Sequence, residues 1–216
     1  MDNLILSLTP EQHKKYIEIK NEKAPLLNFD VPSIQIEYCS IDTRGAKNMI
    51  ANACEKLLVF SKHDSFFEKS LSSKEINALI PVYYEGINSI DVARKELYKA
   101  ATELSRKIVK IDAALSTLYS DYSEFLPYKA ALFDREEYKN EILTLDDRFL
   151  SEISRLSEEK SRSTTSLESI SNMTDILIPE FFSSLTKVSD APRFKDFKHR
   201  DFFAVVNSFT EKIKTI

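Results

Sequence analysis

The chain has 216 residues, 43 % of them hydrophobic and 30 % charged, with a net charge of −4. That is apolar mass for one large domain or two small ones, and the mild acidity lacks the basic footprint of an obligate nucleic-acid binder. Only two glycines occur, Gly45 and Gly86, which argues against β-meanders and barrels and leaves no Walker loop or dinucleotide fingerprint to be written.

Thr9-Pro10-Glu11-Gln12 reads as a helix start: Thr9 caps, Pro10 suits the first helical position and Gln12 completes a capping box. The helix should reach about Glu22 and stop before Pro25. Residues 28–40 look extended, because Pro32 breaks helix and Ile34, Ile36 and Tyr38 alternate with Gln35 and Glu37. Two readings of this segment stand: a strap lying along helices, or an edge donated to a partner's sheet. Asp42 can cap a second helix reaching about Lys62, and a short third helix fits Ser65 to Leu71.

Ser72 with Glu75 forms another capping box. Beyond it, apolar side chains fall at Ile76, Ile80, Tyr83, Ile87 and Ile90, then at Leu97, Ala101, Leu104, Ile108, Ile111, Leu115, Leu118, Tyr122 and Phe125. These steps of four and three define one continuous helical seam, broken only by Arg94. Pro81 should mark the true start or kink the helix. Leu126-Pro127-Tyr128 should end it. A second long helix, capped near Asp134, carries Tyr138, Ile142, Leu145, Phe149, Ile153 and Leu156, then Leu167, Ile170, Leu177 and Phe181. Its double step of four at Leu145, Phe149 and Ile153 is a stutter, and Pro179 should close or bend it. A linker at Ser189 to Pro192 precedes a terminal amphipathic helix with Phe202, Val206, Phe209, Ile213 and Ile216.

Two long seams joined by a short break must fold back on each other. About fifty residues at 1.5 Å each give arms of roughly 75 Å. The expected fold is therefore all-α: an elongated helical bundle built on a long antiparallel coiled-coil hairpin. It forms a single domain over 1–216, with base helices at 1–71 and 189–216 and the hairpin at 72–183. Its tip, near 126–134, is expected to project as a pair of helices.

Three clusters are candidate functional residues. Tyr119, Tyr122, Phe125, Tyr128, Phe133 and Tyr138 gather round the tip, as an interaction surface or as a plug that closes the hairpin. Folding at Pro127 would place Arg94 beside Ser166, within reach of Ser163 or Glu159, as a polar layer that sets register or as a hinge or ligand site. Arg193, Lys195, Lys198 and Arg200 interleave with phenylalanine, either touching an anionic membrane or nucleic acid or snorkelling outward from a packed face.

No catalytic chemistry is expected. His13, His63 and His199 are isolated; Cys39 and Cys54 lack metal spacing and read as small buried hydrophobes in a reducing compartment, with a bridge between them as the alternative. The adjacent acid pairs Glu136-Glu137, Asp146-Asp147 and Glu158-Glu159 point in diverging directions on a helix. The expectation is a protein that is not an enzyme, with no cofactor, no metal and no small-molecule substrate, acting through a protein partner or self-association. Met1 to Leu8 lacks the basic region and apolar run of a signal peptide, and no stretch approaches twenty apolar residues. A soluble, cytoplasmic location follows as the expectation, with signal-less export left open.

The long helical hairpin of Ser72 to Phe182 resembles, in expected shape, the soluble forms of ClyA-type α-helical pore-forming toxins and their two-component relatives. Those toxins carry a strongly apolar membrane-inserting element, which this chain lacks. The resemblance therefore implies a helper subunit whose partner inserts.

Overall fold

The computed structural model describes residues 2–35, 43–58, 73–188 and 199–214. Among them the fold is all-α, with no strand. The helices are α1 (Asp2–Ser7), α2 (Pro10–Asn21), α3 (Thr43–Leu58), α4 (Ser73–Leu132), α5 (Glu136–Ser171), α6 (Ile178–Val188) and α7 (His199–Lys214), with a π-helical turn at Asn172–Leu177 between α5 and α6. The chain divides into two compact units, each with its own core. The first holds Met1–Tyr38 and Arg106–Thr164, the second Cys39–Ser105 and Thr165–Ile216.

In the first unit, the capping box expected at Thr9 is formed. Thr9 Oγ1 accepts from the Gln12 N–H at 3.3 Å, and Gln12 Oε1 accepts from the Thr9 N–H at 2.9 Å. Those two donors would otherwise lack helical partners. α2 stops at Asn21, and Glu22 is extended, as the approach to Pro25 requires. From Pro25 to Val31 burial alternates: Pro25 and Val31 are buried and Leu27 and Phe29 half-buried, while Leu26, Asn28 and Asp30 face solvent. This segment is a strap, and the alternation is the side-chain period of extended backbone. It covers a core of Ile111, Leu115, Leu118, Phe125 and Leu132 from α4 and Ile142, Leu145, Phe149 and Leu156 from α5. Each such side chain contributes about 1.5–3 kcal/mol on burial.

In the second unit, α3 lies against the first half of α4. Ala46, Ile50, Ala53, Cys54 and Leu57 meet Tyr83, Ile90, Ala93 and Leu97. Gly86 makes this approach close: a Cβ there would sit 2.9 Å from Leu57 Cγ. The π turn, α6 and α7 complete this core with Met173, Ile178, Phe181, Leu185, Phe202, Val206 and Phe209. Phe181 and Phe209 stack at 4.2 Å between centroids.

The described positions of the four-three seam are buried or half-buried. Ile90, Leu97, Ile111, Leu118 and Phe125 on α4, and Ile142, Phe149, Leu156 and Ile170 on α5 to its end, are all at most 1 % exposed. Two boundaries differ from the sequence reading. Proline did not end α4, which runs through Pro127 to Leu132. The turn is Phe133–Arg135, and the Arg135 carbonyl, not Asp134, takes the first bonds of α5 from the N–H groups of Tyr138 and Lys139. The N-terminal segment, assigned above to the base, packs on the tip half, so that half is not a bare two-helix projection. The boundary of the two units falls within α4 and α5. The expected caps at Asp42 and Ser72, the helix at Ser65 to Leu71 and the linker at Ser189 to Pro192 lie outside the described residues.

Candidate functional site

The aromatic cluster forms a plug. Phe125 is fully buried and lies 5.6 Å from Phe149 and 5.4 Å from Phe29 of the strap, centroid to centroid. Tyr128 meets Phe29 edge-on at 5.0 Å and takes the Lys15 ammonium over its ring. Tyr122, Tyr128, Phe133 and Tyr138 are half-buried around this core. Of the six aromatic residues singled out, only Tyr119 is open, at 53 % exposure. Edge-to-face pairs of this kind add about 0.5–1.5 kcal/mol each beyond area burial.

Polar ties cross the interface of α4 and α5 within the first unit. Lys107 pairs with Glu159, Asp112 with Lys160 at 2.6 Å, and Lys129 with Asp146 at 2.6 Å. The Tyr122 hydroxyl donates to the other Asp146 oxygen at 2.9 Å. Burial first, then the Asp146 hydrogen bond and charge, push the Tyr122 phenol up to about 12. Lys107, Glu159, Lys129 and Asp146 are all mostly shielded, so each tie penalises a slipped register by stranding a charge.

The expected polar layer is rearranged. Arg94 does not meet Ser166. Its Nε donates to the Thr174 carbonyl at 3.1 Å, eight positions further along, and its guanidinium also donates to the Tyr98 hydroxyl at 3.1 Å. Tyr98 in turn donates to Asp175 at 2.8 Å. Glu159 belongs to Lys107, and Ser163 is buried in the first unit. The cause is the turn: counting from Pro127 places the return helix too early, because the chain reverses only at Phe133–Arg135.

Arginines of α5 and its start hold the N-terminal segment by its backbone. Arg135 donates to the Lys20 and Glu22 carbonyls, Arg148 to that of Val31 and Arg155 to that of Ile34. Glu152 accepts the Ile34 N–H at 2.9 Å. The Arg155 hydrogen bond holds the Glu152 carboxyl below its ordinary value, burial opposes it, and the Ile34 N–H adds to the lowering. The sequence reading missed these four residues. Their only sequence signal is a run of charge at three- and four-residue steps, which equally suits a solvated face.

Open grooves lie among the described residues of both units. One, of about 440 Å³, runs in the first unit between Val31, Pro32 and Ser33 of the strap and Asp147, Arg148, Ser151 and Arg155 of α5. The other, of about 270 Å³, runs in the second unit between α6 and α7, floored by Leu177, Phe181 and Phe209 and lined by Ser184, Ala204 and Ser208. Arg193, Lys195 and Lys198 lie outside the described residues, as does the Arg200 side chain. Cys54 is a buried thiol whose ionisation is pushed up by burial, against a hydrogen bond with Thr210.

Among the described residues no group of three or more His, Cys, Asp or Glu is placed to hold a metal ion. No helix among them is long and apolar enough to cross a membrane. Comparison with protein-family models, with curated proteins and with solved structures finds no match to this chain.

Proposed function

We propose that this chain is a non-enzymatic helical interaction protein that acts through its long helices in a protein complex, with another protein or with further copies of itself. One observation carries the reading. The apolar seams of α4 and α5 are consumed internally, yet large apolar side chains remain on their outer faces. Val109 is 68 % exposed and Tyr119 53 %, while Leu143 and Leu150, one heptad apart on α5, are 40 % and 47 % exposed. Apolar side chains at helical spacing outside a filled core favour a further helix or a second surface. A reducing, cytoplasmic setting is the compartment proposed, in keeping with the thiol of Cys54.

The test is mass measurement of the native complex, with sedimentation of the purified chain. A stoichiometric partner or a defined oligomer is expected, and Val109→Glu with Leu150→Glu should disperse it while helicity by circular dichroism is kept. A lone monomer from both preparations, unchanged by the two substitutions, overturns the proposal. Dye leakage from liposomes tests the helper-subunit alternative, which leakage only in the presence of a partner chain would favour.

A further inference from the structure

We propose that the π-helical turn at Asn172–Leu177 is a latched hinge, that Arg94 is its latch, and that its opening displays an apolar face of α6. This inference is independent of the function proposed above and rests on the backbone accounting of one helical turn. The Ile178 N–H reaches the Met173 carbonyl, five residues back. The next bond of that pattern would run from residue 179 to the Thr174 carbonyl. Residue 179 is proline, which has no N–H to give. At an isolated helix start this loss is harmless, because the first donors have no partner anyway. Here the chain is already helical, so the loss is a gap in the ladder joining α5 to α6.

Arg94 fills that gap from α4, with Nε 3.1 Å from the Thr174 carbonyl. A second strut lies beside it: Arg94 holds the Tyr98 hydroxyl, its guanidinium lies 5.4 Å from the Tyr98 ring centroid, and Tyr98 holds Asp175. The Thr174 side chain is 1 % exposed and donates back to the Ile170 carbonyl at 3.1 Å, which ties the turn to α5 and not to α6. Ile176, within the same turn, is 50 % exposed. The junction thus exposes an apolar residue and buries a polar one, and hinges absorb their change at such short element-terminal positions.

Beyond the gap, α6 is held by side chains. Phe181 and Leu185 are buried, Phe181 stacks on Phe209, and Glu180 faces Lys212 at 3.6 Å on the surface. Release of Arg94 leaves α6 joined to α5 through the broken turn alone, and its swing uncovers Phe181 and Leu185.

Hydrogen exchange by mass spectrometry on the full chain tests this. In the unaltered protein, amides of 180–188 should exchange faster than those of α3, through an opening smaller than unfolding of the unit. Arg94→Met should speed exchange of 180–188 by about tenfold or more, with peptides of α3 unchanged. Adding Pro179→Ala restores an N–H at the gap and should return exchange of 180–188 to its original rate. Pro179→Ala alone should slow it, which keeps the proposal falsifiable if Arg94→Met does not fold. The proposal is overturned if 180–188 exchanges in step with α3, if Arg94→Met leaves that segment unchanged or speeds every segment equally, or if Pro179→Ala neither rescues the variant nor slows exchange by itself.

Discussion

The side-chain amide of Gln12 donates at 2.8 Å to the carbonyl of Ser123, the one carbonyl of α4 that Pro127 leaves without its helical N–H. The same amide reaches Ser123 Oγ at 2.8 Å, and Gln12 Oε1 completes the Thr9 capping box. One side chain therefore closes the start of α2 and the gap in α4. Gln12→Leu should destabilise the first unit by about 1–2 kcal/mol, the sum of a lost cap and an orphaned carbonyl at a solvent-accessible site. In a Pro127→Ala background the loss should shrink to the cap alone. Chemical denaturation of the four chains of this cycle measures the coupling, and strict additivity would refute the pairing of Gln12 with the proline gap.

The two glycines should respond oppositely to alanine. Gly45 lies in α3 with nothing within 4 Å of an added Cβ, so Gly45→Ala should stabilise by about 0.5–1 kcal/mol through helix propensity. At Gly86 the new Cβ would press on Leu57 Cγ at 2.9 Å, in contact with the core of the second unit. Gly86→Ala should cost about 1–3 kcal/mol from overpacking, less the propensity gain of about 1 kcal/mol. Thermal melts of the two variants should move in opposite directions.

Tyr122 should titrate late, near 12 against an ordinary value of 10. A raised folded value means that the neutral phenol is favoured by folding. Its contribution is complete below pH 10 and lost as pH rises through about 12. Spectrophotometric titration should show a late component near pH 12, and Tyr122→Phe should remove it.

Glu152 works in the other direction. Its folded value is lowered from 4.5, so its contribution is complete above that pH and is lost as pH falls through the lowered value. The strap around Ile34 should lose protection from proteolysis or hydrogen exchange on acidification. Glu152→Gln keeps an oxygen for the Ile34 N–H but removes the charge that attracts Arg155, so strap protection should become flat across the same range. Acid release of the strap that persists in the glutamine variant would show that other groups control it.

The fully buried Phe125 should be the costliest tip residue. Phe125→Ala should destabilise by about 3–5 kcal/mol, because Phe29, Tyr122 and Phe149 cannot all close on the cavity. Tyr119→Ala should shift stability by less than about 0.5 kcal/mol, since that side chain is open. The pair separates the plug from the surface by urea titration.

The sequence by itself determined the helical class, the buried seam from Tyr83 to Phe125 and its return from Ile142 to Phe181, and the cap at Thr9. Each follows from local spacing: a helix repeats every 3.6 residues, and an apolar stripe at that period has to be covered. Tertiary structure alone decided the ends and the ties. Pro127 and Pro179 read locally as breaks, yet the chain stays helical around both, because Gln12 and Arg94 supply from distant positions the bonds those residues cannot make. That choice moved the turn to Phe133–Arg135 and so moved Arg94 from Ser166 to Thr174. A backbone gap is written into the sequence at the proline, but its partner is chosen by which donor the folded chain carries past it in space.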